Sequence, residues 1–258
     1  MIIELFGPAG AGKTTFAHTL AERLREHGHV AEVVFTYRPG AHTSLFDRGG
    51  VVAAVRRVAR AAFQIGMMMC RPLANAREFQ TTARLLWLLP PRNIVWFVRF
   101  GQYIVRLSRV WNNASRSDRI IIFDQAFVQS VCSLALFHGP VSEQALACAL
   151  NVTPKADLLI QIDAPHELLE ARLSDRLRRE NFMERLFEAD SKTNLKAKPI
   201  MDRVSALLRT RGCAIRHVES FDQRSLCQAV ERAEEEIVAC RNGGTELAAA
   251  PPLVAART

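Results

Sequence analysis

Apolar residues along this chain form five short, nearly continuous runs, separated by longer segments in which an apolar residue recurs every three or four positions. A continuous run is typical of a strand buried on both faces, whereas the longer period is typical of an amphipathic helix. The five predicted strands are residues 2–6, 30–37, 119–123, 158–162 and 214–218. Their alternation with helices predicts an α/β fold, a five-stranded parallel sheet with helices on both faces.

The segments between the strands supply the helices. The predicted helices cover residues 13–27, 125–137, 142–150, 165–187, 194–211 and 223–240. A long helical insertion over residues 51–112 is broken at Pro90-Pro91, because neither proline can continue a helix. Residues 241–258 are rich in Gly, Ala and Pro without a period, so we predict one domain over 1–240 and a disordered tail.

The turn between the first strand and the first helix carries the most specific motif. Residues 7–15 fit the pattern G-x-x-x-x-G-K-[ST] of phosphate-binding loops. Glycines there let backbone N–H groups point at phosphate oxygens, Lys13 can reach the β and γ phosphates, and the Thr14 hydroxyl can ligate Mg²⁺. The loop predicts ATP and Mg²⁺ as cofactors; the alternative is a Gly-rich turn that binds nothing. The predicted cofactor-binding residues are Gly7, Pro8, Ala9, Gly10, Ala11, Gly12, Lys13, Thr14 and Thr15.

The third predicted strand, Ile120-Ile121-Ile122-Phe123, ends in Asp124. An aspartate at this place can hold Mg²⁺ or accept the proton of an attacking hydroxyl. The alternative is that Asp124 caps a helix starting at Gln125. Because ligands of parallel sheets bind at the carboxyl ends of strands, we expect Asp124, the phosphate-binding loop and Asp163 to share one site.

Residues 156–172, Ala-Asp-Leu-Leu-Ile-Gln-Ile-Asp-Ala-Pro-His-Glu-Leu-Leu-Glu-Ala-Arg, resemble the fourth strand and following helix of thymidylate kinases and related nucleoside and nucleotide kinases. In that family, arginines on the lid helix contact the adenine or the transferring phosphates. The resemblance implies a lid of about residues 172–190 in which Arg172 and Arg176 are catalytic, neutralising charge and excluding water. The alternative is a solvated helix face whose arginines pair with acids at helical spacing.

A second similarity lies on the acceptor side. Thr36-Tyr37-Arg38-Pro39-Gly40 resembles the Thr-Arg-Glu-Pro-Gly segment of thymidylate kinases, with the Arg displaced by one position and the Glu missing. It implies that Arg38 contacts the acceptor; the alternative is an ordinary Pro-Gly turn. The family has Asp-Arg after the third strand where this chain has Asp124-Gln125, and Gln125 can hydrogen-bond to an acceptor but cannot pair with phosphate as a charge.

Positive charge is concentrated in the predicted insertion. The chain carries a formal net charge of +8, yet residues 54–119 alone hold twelve arginines, no lysine and two acids. Arginine favours bidentate contacts with phosphate or carboxylate. We interpret the insertion as a helical cover over the acceptor pocket, with Met and Trp in the core and Arg92, Arg99 and Arg106 on one helix face. The alternative is an amphipathic surface for an anionic membrane; nucleic acid is not expected, because no binding module is recognisable.

Composition also bears on whether the protein spans a membrane, is secreted, or contains a metal site or disulfides. No apolar run reaches the roughly 18–20 uncharged residues of a membrane-spanning helix, and the first strand begins at residue 2, which leaves no room for a secretory signal. We therefore expect a cytoplasmic protein. The seven histidines show no ligand spacing. Six cysteines without a C-x-x-C pair are predicted to be buried, reduced thiols: Cys70, Cys132, Cys148, Cys213, Cys227 and Cys240.

Together these patterns predict a thymidylate-kinase-like, ATP-dependent kinase that acts on a small acceptor, a nucleoside or nucleotide. The alternative is a nucleotide-dependent switch or ATPase that acts on a partner or at a membrane surface. Apolar helices near the third strand would suit a homodimer. The predicted catalytic residues are Lys13, Asp124, Arg172 and Arg176, the predicted substrate contacts are Arg38 and Gln125, and the predicted metal ligands are Thr14 and Asp124.

Overall fold

The sheet of this protein has five parallel strands. The computed structural model describes residues 1–35, 76–179, 197–219 and 222–242. The strands are β1 (Ile2–Phe6), β2 (Ala31–Val34), β3 (Ile120–Phe123), β4 (Leu158–Asp163) and β5 (Ile215–Glu219), in the spatial order β2-β3-β1-β4-β5. The first strand is central because it pairs with β3 on one side and β4 on the other, with Ile3 opposite both Ile122 and Leu158. The predicted sheet is confirmed; β2 ends three residues earlier than expected.

Eight helices cover the sheet within the described residues. They are α1 (Lys13–Glu26), α2 (Ala76–Leu88), α3 (Ile94–Ala114), α4 (Phe127–His138), α5 (Glu143–Val152), α6 (His166–Arg179), α7 (Ala197–Arg209) and α8 (Gln223–Asn242). Helix α1 stops where the sequence predicts, because Gly28 has a left-handed φ of +81° there and its N–H bonds back to the Arg25 carbonyl.

Helices lie on both faces of the sheet, as predicted. Alternate residues of each strand point to opposite faces, so Ile3 and Leu5 pack under α1, α6 and α8, while Ile2 and Phe6 pack under the helices α2 to α5 and α7. All five residues of β1 are buried, and each large apolar side chain there contributes about 1.5–3 kcal/mol to stability. Glu4 lies in the middle of this strand.

The described part of the insertion is a helical hairpin. Helix α2 ends at Leu88, before Pro90-Pro91, and α3 begins at Ile94 after Asn93, whose side chain accepts a hydrogen bond from the Val95 N–H at 2.8 Å. The predicted break is confirmed. The expectation that Arg92 shares a helix face with Arg99 and Arg106 is wrong, because Arg92 precedes the helix.

Two expectations about burial need correction. Trp111 is buried and stacks on Phe123 with ring centroids 5.0 Å apart, but Trp87 is 86% exposed, because it lies on the outer face of α2, while Leu85 and Leu86 of the same turn are buried. Among the described cysteines Cys132 is buried, whereas Cys148 and Cys227 are exposed, so the prediction of buried thiols is wrong for these two. They lie on the outer faces of amphipathic helices.

Several predictions concern residues outside the described ranges. These are Arg38 with its Pro-Gly turn, the insertion before residue 76, the lid beyond residue 179, and the tail from residue 243. Within the described ranges, none of the helices combines the length and the apolar character needed to cross a bilayer.

Candidate active site

The phosphate-binding loop, residues 7–15, connects the buried carboxyl end of β1 to the start of α1. Gly7 begins it in close contact with the neighbouring strand: a Cβ on Gly7 would lie 2.0 Å from the Ile162 carbonyl oxygen, so only glycine fits. Gly12, in the same loop, has a left-handed φ of +92° and is the N-cap of α1. No side chain caps this helix start. The first N–H groups of α1 therefore remain available to an anion.

Lys13 lies inside this loop. Its side chain is buried, and the ammonium donates hydrogen bonds of 2.9 Å to the carbonyl oxygens of Gly7 and Pro8. These two carbonyls belong to the first two residues of the loop. The contacts keep a positive charge at the centre of the loop.

Thr14 and Asp124 meet where α1 begins and β3 ends. The Thr14 hydroxyl donates a 2.9 Å hydrogen bond to Oδ2 of Asp124. Asp124 is 7% exposed, and its buried Oδ1 accepts no hydrogen bond from the described residues. Asp124 is not a helix cap, because α4 begins at Phe127 with Ala126 as its N-cap. The alternative role weighed from the sequence is therefore wrong.

This pair of oxygen ligands fits Mg²⁺. The ion prefers hard oxygen ligands and is usually held by one or two protein groups together with substrate phosphates. The buried Oδ1, which accepts no hydrogen bond within the described ranges, lies on the same carboxylate that accepts from the Thr14 hydroxyl, and this pair offers that chemistry. Thr14 and Asp124 could hold the metal, as the sequence predicts.

Arg172 on α6 reaches the loop from the opposite side. Its guanidinium donates a 3.1 Å hydrogen bond to the Gly10 carbonyl oxygen. Arg176 lies one turn further along the same helix, and its side chain is outside the described part of the structure. The structure thus brings Lys13, Thr14, Asp124 and Arg172 to one loop.

The remaining acids and amides at the strand ends have different surroundings. Gln125 directly follows Asp124 and is half-buried, and its carbonyl oxygen accepts a long, 3.4 Å hydrogen bond from the Tyr103 hydroxyl.

Asp163, at the end of β4, is buried, pairs with Lys198 at the start of α7, and accepts a hydrogen bond from the Ala164 N–H at 2.8 Å. Asp163 therefore anchors the start of α7. It directly follows Ile162, whose carbonyl oxygen lies against Gly7 of the loop, and its place in the shared site stays a prediction.

Two further residues at the site were missed from the sequence. Glu4 is fully buried in β1, and its Oε1 accepts hydrogen bonds from the N–H groups of Val128 and Gln129, at 2.6 and 3.2 Å. Burial raises the pKa of Glu4 to about 8, although these backbone N–H groups act in the opposite direction. Gln129 in turn accepts a 3.0 Å hydrogen bond from the N–H of Gly7. A charged residue in the middle of an apolar strand was the available signal for Glu4.

Comparisons with known proteins give similarities to solved structures alone. No family model matches the chain, and no curated protein matches it. Among solved structures it is similar to a deoxyadenosine kinase from M. mycoides with dCMP and dCDP bound, at 12% identity and a TM-score of 0.45 over 93% of this chain and 100% of that one. It is also similar to a thymidylate kinase from Ehrlichia chaffeensis, at 14% identity and a TM-score of 0.45 over 92% of this chain and 98% of that one. The site is interpreted from its own geometry.

Proposed function

We propose that this protein is an ATP-dependent kinase that transfers the γ-phosphoryl group of ATP to a small acceptor, a nucleoside or nucleotide. The observation that carries the proposal is the meeting of Thr14 with Asp124, whose buried Oδ1 accepts no hydrogen bond from the described residues, at the same loop in which Lys13 is buried. A glycine-rich turn that bound nothing would have no reason to bury a lysine and to place, at the start of its helix, a buried carboxylate oxygen that accepts no hydrogen bond from the described residues.

Lys13, Arg172 and the Thr14–Asp124 pair each have a different role in the proposed phosphoryl transfer. Lys13 exchanges its bonds to the loop carbonyls for bonds to phosphate oxygens, and the N–H groups of the loop and of α1 hold the remaining oxygens. Arg172 lies close enough to the loop to neutralise charge on the transferring group. Mg²⁺, when bound by Thr14 and Asp124, supplies additional positive charge to the phosphates.

The proposal for the acceptor side of the site rests on the resemblance to thymidylate kinases and on fewer contacts. Asp124 is positioned to be a metal ligand, the base for the acceptor hydroxyl, or both, and Gln125 is a hydrogen-bonding group directly beside it. Arg38 and Arg176 remain predicted contacts. A nucleoside or nucleotide is proposed because the motifs around Arg38 and Arg172 resemble those of thymidylate kinases.

The test is a search for the acceptor with the wild type and two lysine variants. Pools of nucleosides, nucleotides and sugars are incubated with Mg-ATP and analysed by mass spectrometry for a product about 80 Da heavier, the mass of an added PO₃H group. Lys13→Ala should lose nearly all transfer and remain folded. Lys155→Ala, at an exposed lysine before β4, is the matched control and should act as the wild type. Transfer that persists in Lys13→Ala would contradict the proposal.

A second candidate function, an ATPase at a membrane surface, has one observation in its favour. The tip of the α2–α3 hairpin exposes Trp87, Ile94, Val95 and Val98, with Trp87 86% and Ile94 72% exposed. Arginines lie around this tip, and apolar side chains with arginines suit an anionic lipid surface. ATP hydrolysis without any phosphorylated acceptor, together with co-sedimentation with anionic but not neutral vesicles, would favour this function.

A further inference from the structure

Glu4 contacts the start of a helix that is distant from it in sequence. Helix α4 begins at Phe127, and its N-cap, Ala126, has no side chain that could accept a hydrogen bond. The Glu4 carboxylate, 124 residues away in sequence, accepts from the N–H groups of Val128 and Gln129 instead. These N–H groups have no partner within their own helix, so Glu4 supplies the cap that the local sequence lacks.

Gln129 extends this contact to the phosphate-binding loop. Its backbone N–H is held by Glu4, and its side-chain oxygen accepts from the N–H of Gly7. The backbone N–H of Gly7 can only donate a hydrogen bond, so the side-chain amide of Gln129 must present its oxygen, and not its NH₂ group, to Gly7. Gly7 is also in contact with the Ile162 carbonyl on its other side. The first residue of the loop is therefore held from both sides.

The same helix carries the turn that bears Asp124. Asp124 precedes the first residue of α4 by three positions, and α4 is fixed to β1 through Glu4. Movement of α4 would shift Asp124 relative to Thr14 and would at the same time release the N–H of Gly7. The start of α4 therefore contacts the loop through Gln129 and lies three residues after Asp124 in the chain.

We infer that Gln129, held by Glu4, is a positioning residue for Mg-ATP: it fixes the N–H of Gly7 and keeps the phosphate-binding loop in register with Asp124. We call Glu4, Gln129 and the Gly7 N–H the brace. The inference rests on the proposed function, because it concerns how the loop binds Mg-ATP. Neither residue contacts a reacting atom in this role. Glu4 can accept through Oε1 whether its carboxyl is ionised or protonated, so the brace does not depend on that charge.

The experiment removes the acceptor oxygen of Gln129 and keeps its length, with Gln129→Met in the full chain. Gln144→Met, at an exposed glutamine of α5, is the matched control. Amide hydrogen exchange at Gly7 is measured by NMR without nucleotide, and the Kd of Mg-ATP is measured by calorimetry. We expect exchange at Gly7 to become faster and the Kd to rise about tenfold in Gln129→Met, the value of one lost hydrogen bond, with Tm close to that of the wild type.

A pair of Glu4 variants tests the other half of the brace. Glu4→Gln keeps an accepting oxygen and should bind Mg-ATP nearly as the wild type does, whereas Glu4→Leu should reproduce the weaker binding of Gln129→Met. Glu234→Gln, at a buried glutamate of α8 paired with Arg23, controls for the loss of a buried carboxylate elsewhere. If Glu4→Leu does not fold, the result for Gln129→Met decides.

The outcomes separate this inference from the proposed function. Unchanged exchange at Gly7, or an unchanged Kd for Mg-ATP in folded Gln129→Met, overturns the inference and leaves the kinase proposal intact. A wild type that binds no Mg-ATP contradicts the proposed function, and the inference with it. Faster exchange and weaker binding confined to Gln129→Met and Glu4→Leu support the brace.

Discussion

The phosphate-binding loop and the tip of the α2–α3 hairpin show opposite relations between residue and environment. In the loop, Gly7 is held against Ile162, and Lys13 is buried with its ammonium bonded to carbonyl oxygens. At the tip, Trp87 and Ile94 are large apolar side chains that are mostly exposed. A substitution in the loop must therefore disturb a specific contact, whereas a substitution at the tip meets few neighbours. The residues of the loop are therefore constrained by specific contacts, whereas the residues at the tip are constrained only by the apolar pattern of the helices.

The largest effect is expected from Gly7→Ala. The added methyl would overlap the Ile162 carbonyl, so the backbone of the loop must move, which we expect to abolish Mg-ATP binding and to cost about 1–3 kcal/mol of stability. Urea unfolding and calorimetric titration with Mg-ATP measure the two effects.

The control for Gly7→Ala is Gly28→Ala. Gly28 has a φ of +81° with open space around it, so the substitution should cost about 1 kcal/mol from left-handed strain and should leave nucleotide binding unchanged. Equal binding by the Gly7 and Gly28 variants would refute the contrast between a close contact and open space.

A pH-dependent effect, with binding of Mg-ATP retained, is expected at Glu4. Its folded-state pKa is raised from 4.5 to about 8, so the folded protein binds more protons than the unfolded chain between these values. Stability should therefore fall as the pH rises from about 5 to 8, by at most about 1.4 kcal/mol per pH unit, and level off above. Glu4→Gln should lack this component.

The measurement is the free energy of unfolding in urea at several pH values, for the wild type and Glu4→Gln. Subtracting the two curves removes the titration of the other groups. A difference that stays constant between pH 5 and pH 8 would show that burial does not shift the proton affinity of Glu4 in this way.

The smallest effect is expected at the hairpin tip. Trp87→Ala should change stability by no more than about 0.5 kcal/mol, because the side chain is 86% exposed. Trp111→Ala, on the other helix of the same hairpin, should cost about 3–5 kcal/mol, because that ring is buried and stacked on Phe123. Thermal and urea unfolding of both variants give the comparison, and similar losses would mean that the tip is packed against something.

Much of the fold was predictable from local patterns. The apolar runs of β3 and β4 are buried on both faces, as continuous runs of this length predict for the inner strands of a parallel sheet. The loop from Gly7 to Thr15 was predictable because its glycines, lysine and threonine each meet a separate requirement of phosphate binding. Pro90-Pro91 marked a helix boundary for a reason that tertiary structure cannot override.

What sequence patterns did not reveal depends on contacts between distant elements. Glu4 bonds to the start of α4, and Gln129 bonds to Gly7. The residues of each pair are far apart in sequence, so no regular spacing predicts either contact. Asp163 ends a strand, which the sequence shows, but its ion pair with Lys198, 35 positions further along the chain (198 − 163), is not visible in the sequence. Trp87 is exposed because it lies on the outer face of α2, whereas Leu85 and Leu86 face the core. Residues 85–89 are all apolar, so the sequence pattern does not tell which of them faces outward.

The central place of β1 also affects how the chain is made. It is the first strand to be synthesised, yet the strands on both of its edges follow much later, and the helix start that Glu4 caps is 124 residues away. At roughly 5–20 residues per second, a ribosome needs about 6–25 s to produce that stretch. During this time the nascent strand has two unpaired edges and an acid destined for the interior, so this protein depends on late, long-range pairing and is exposed to aggregation early in its synthesis.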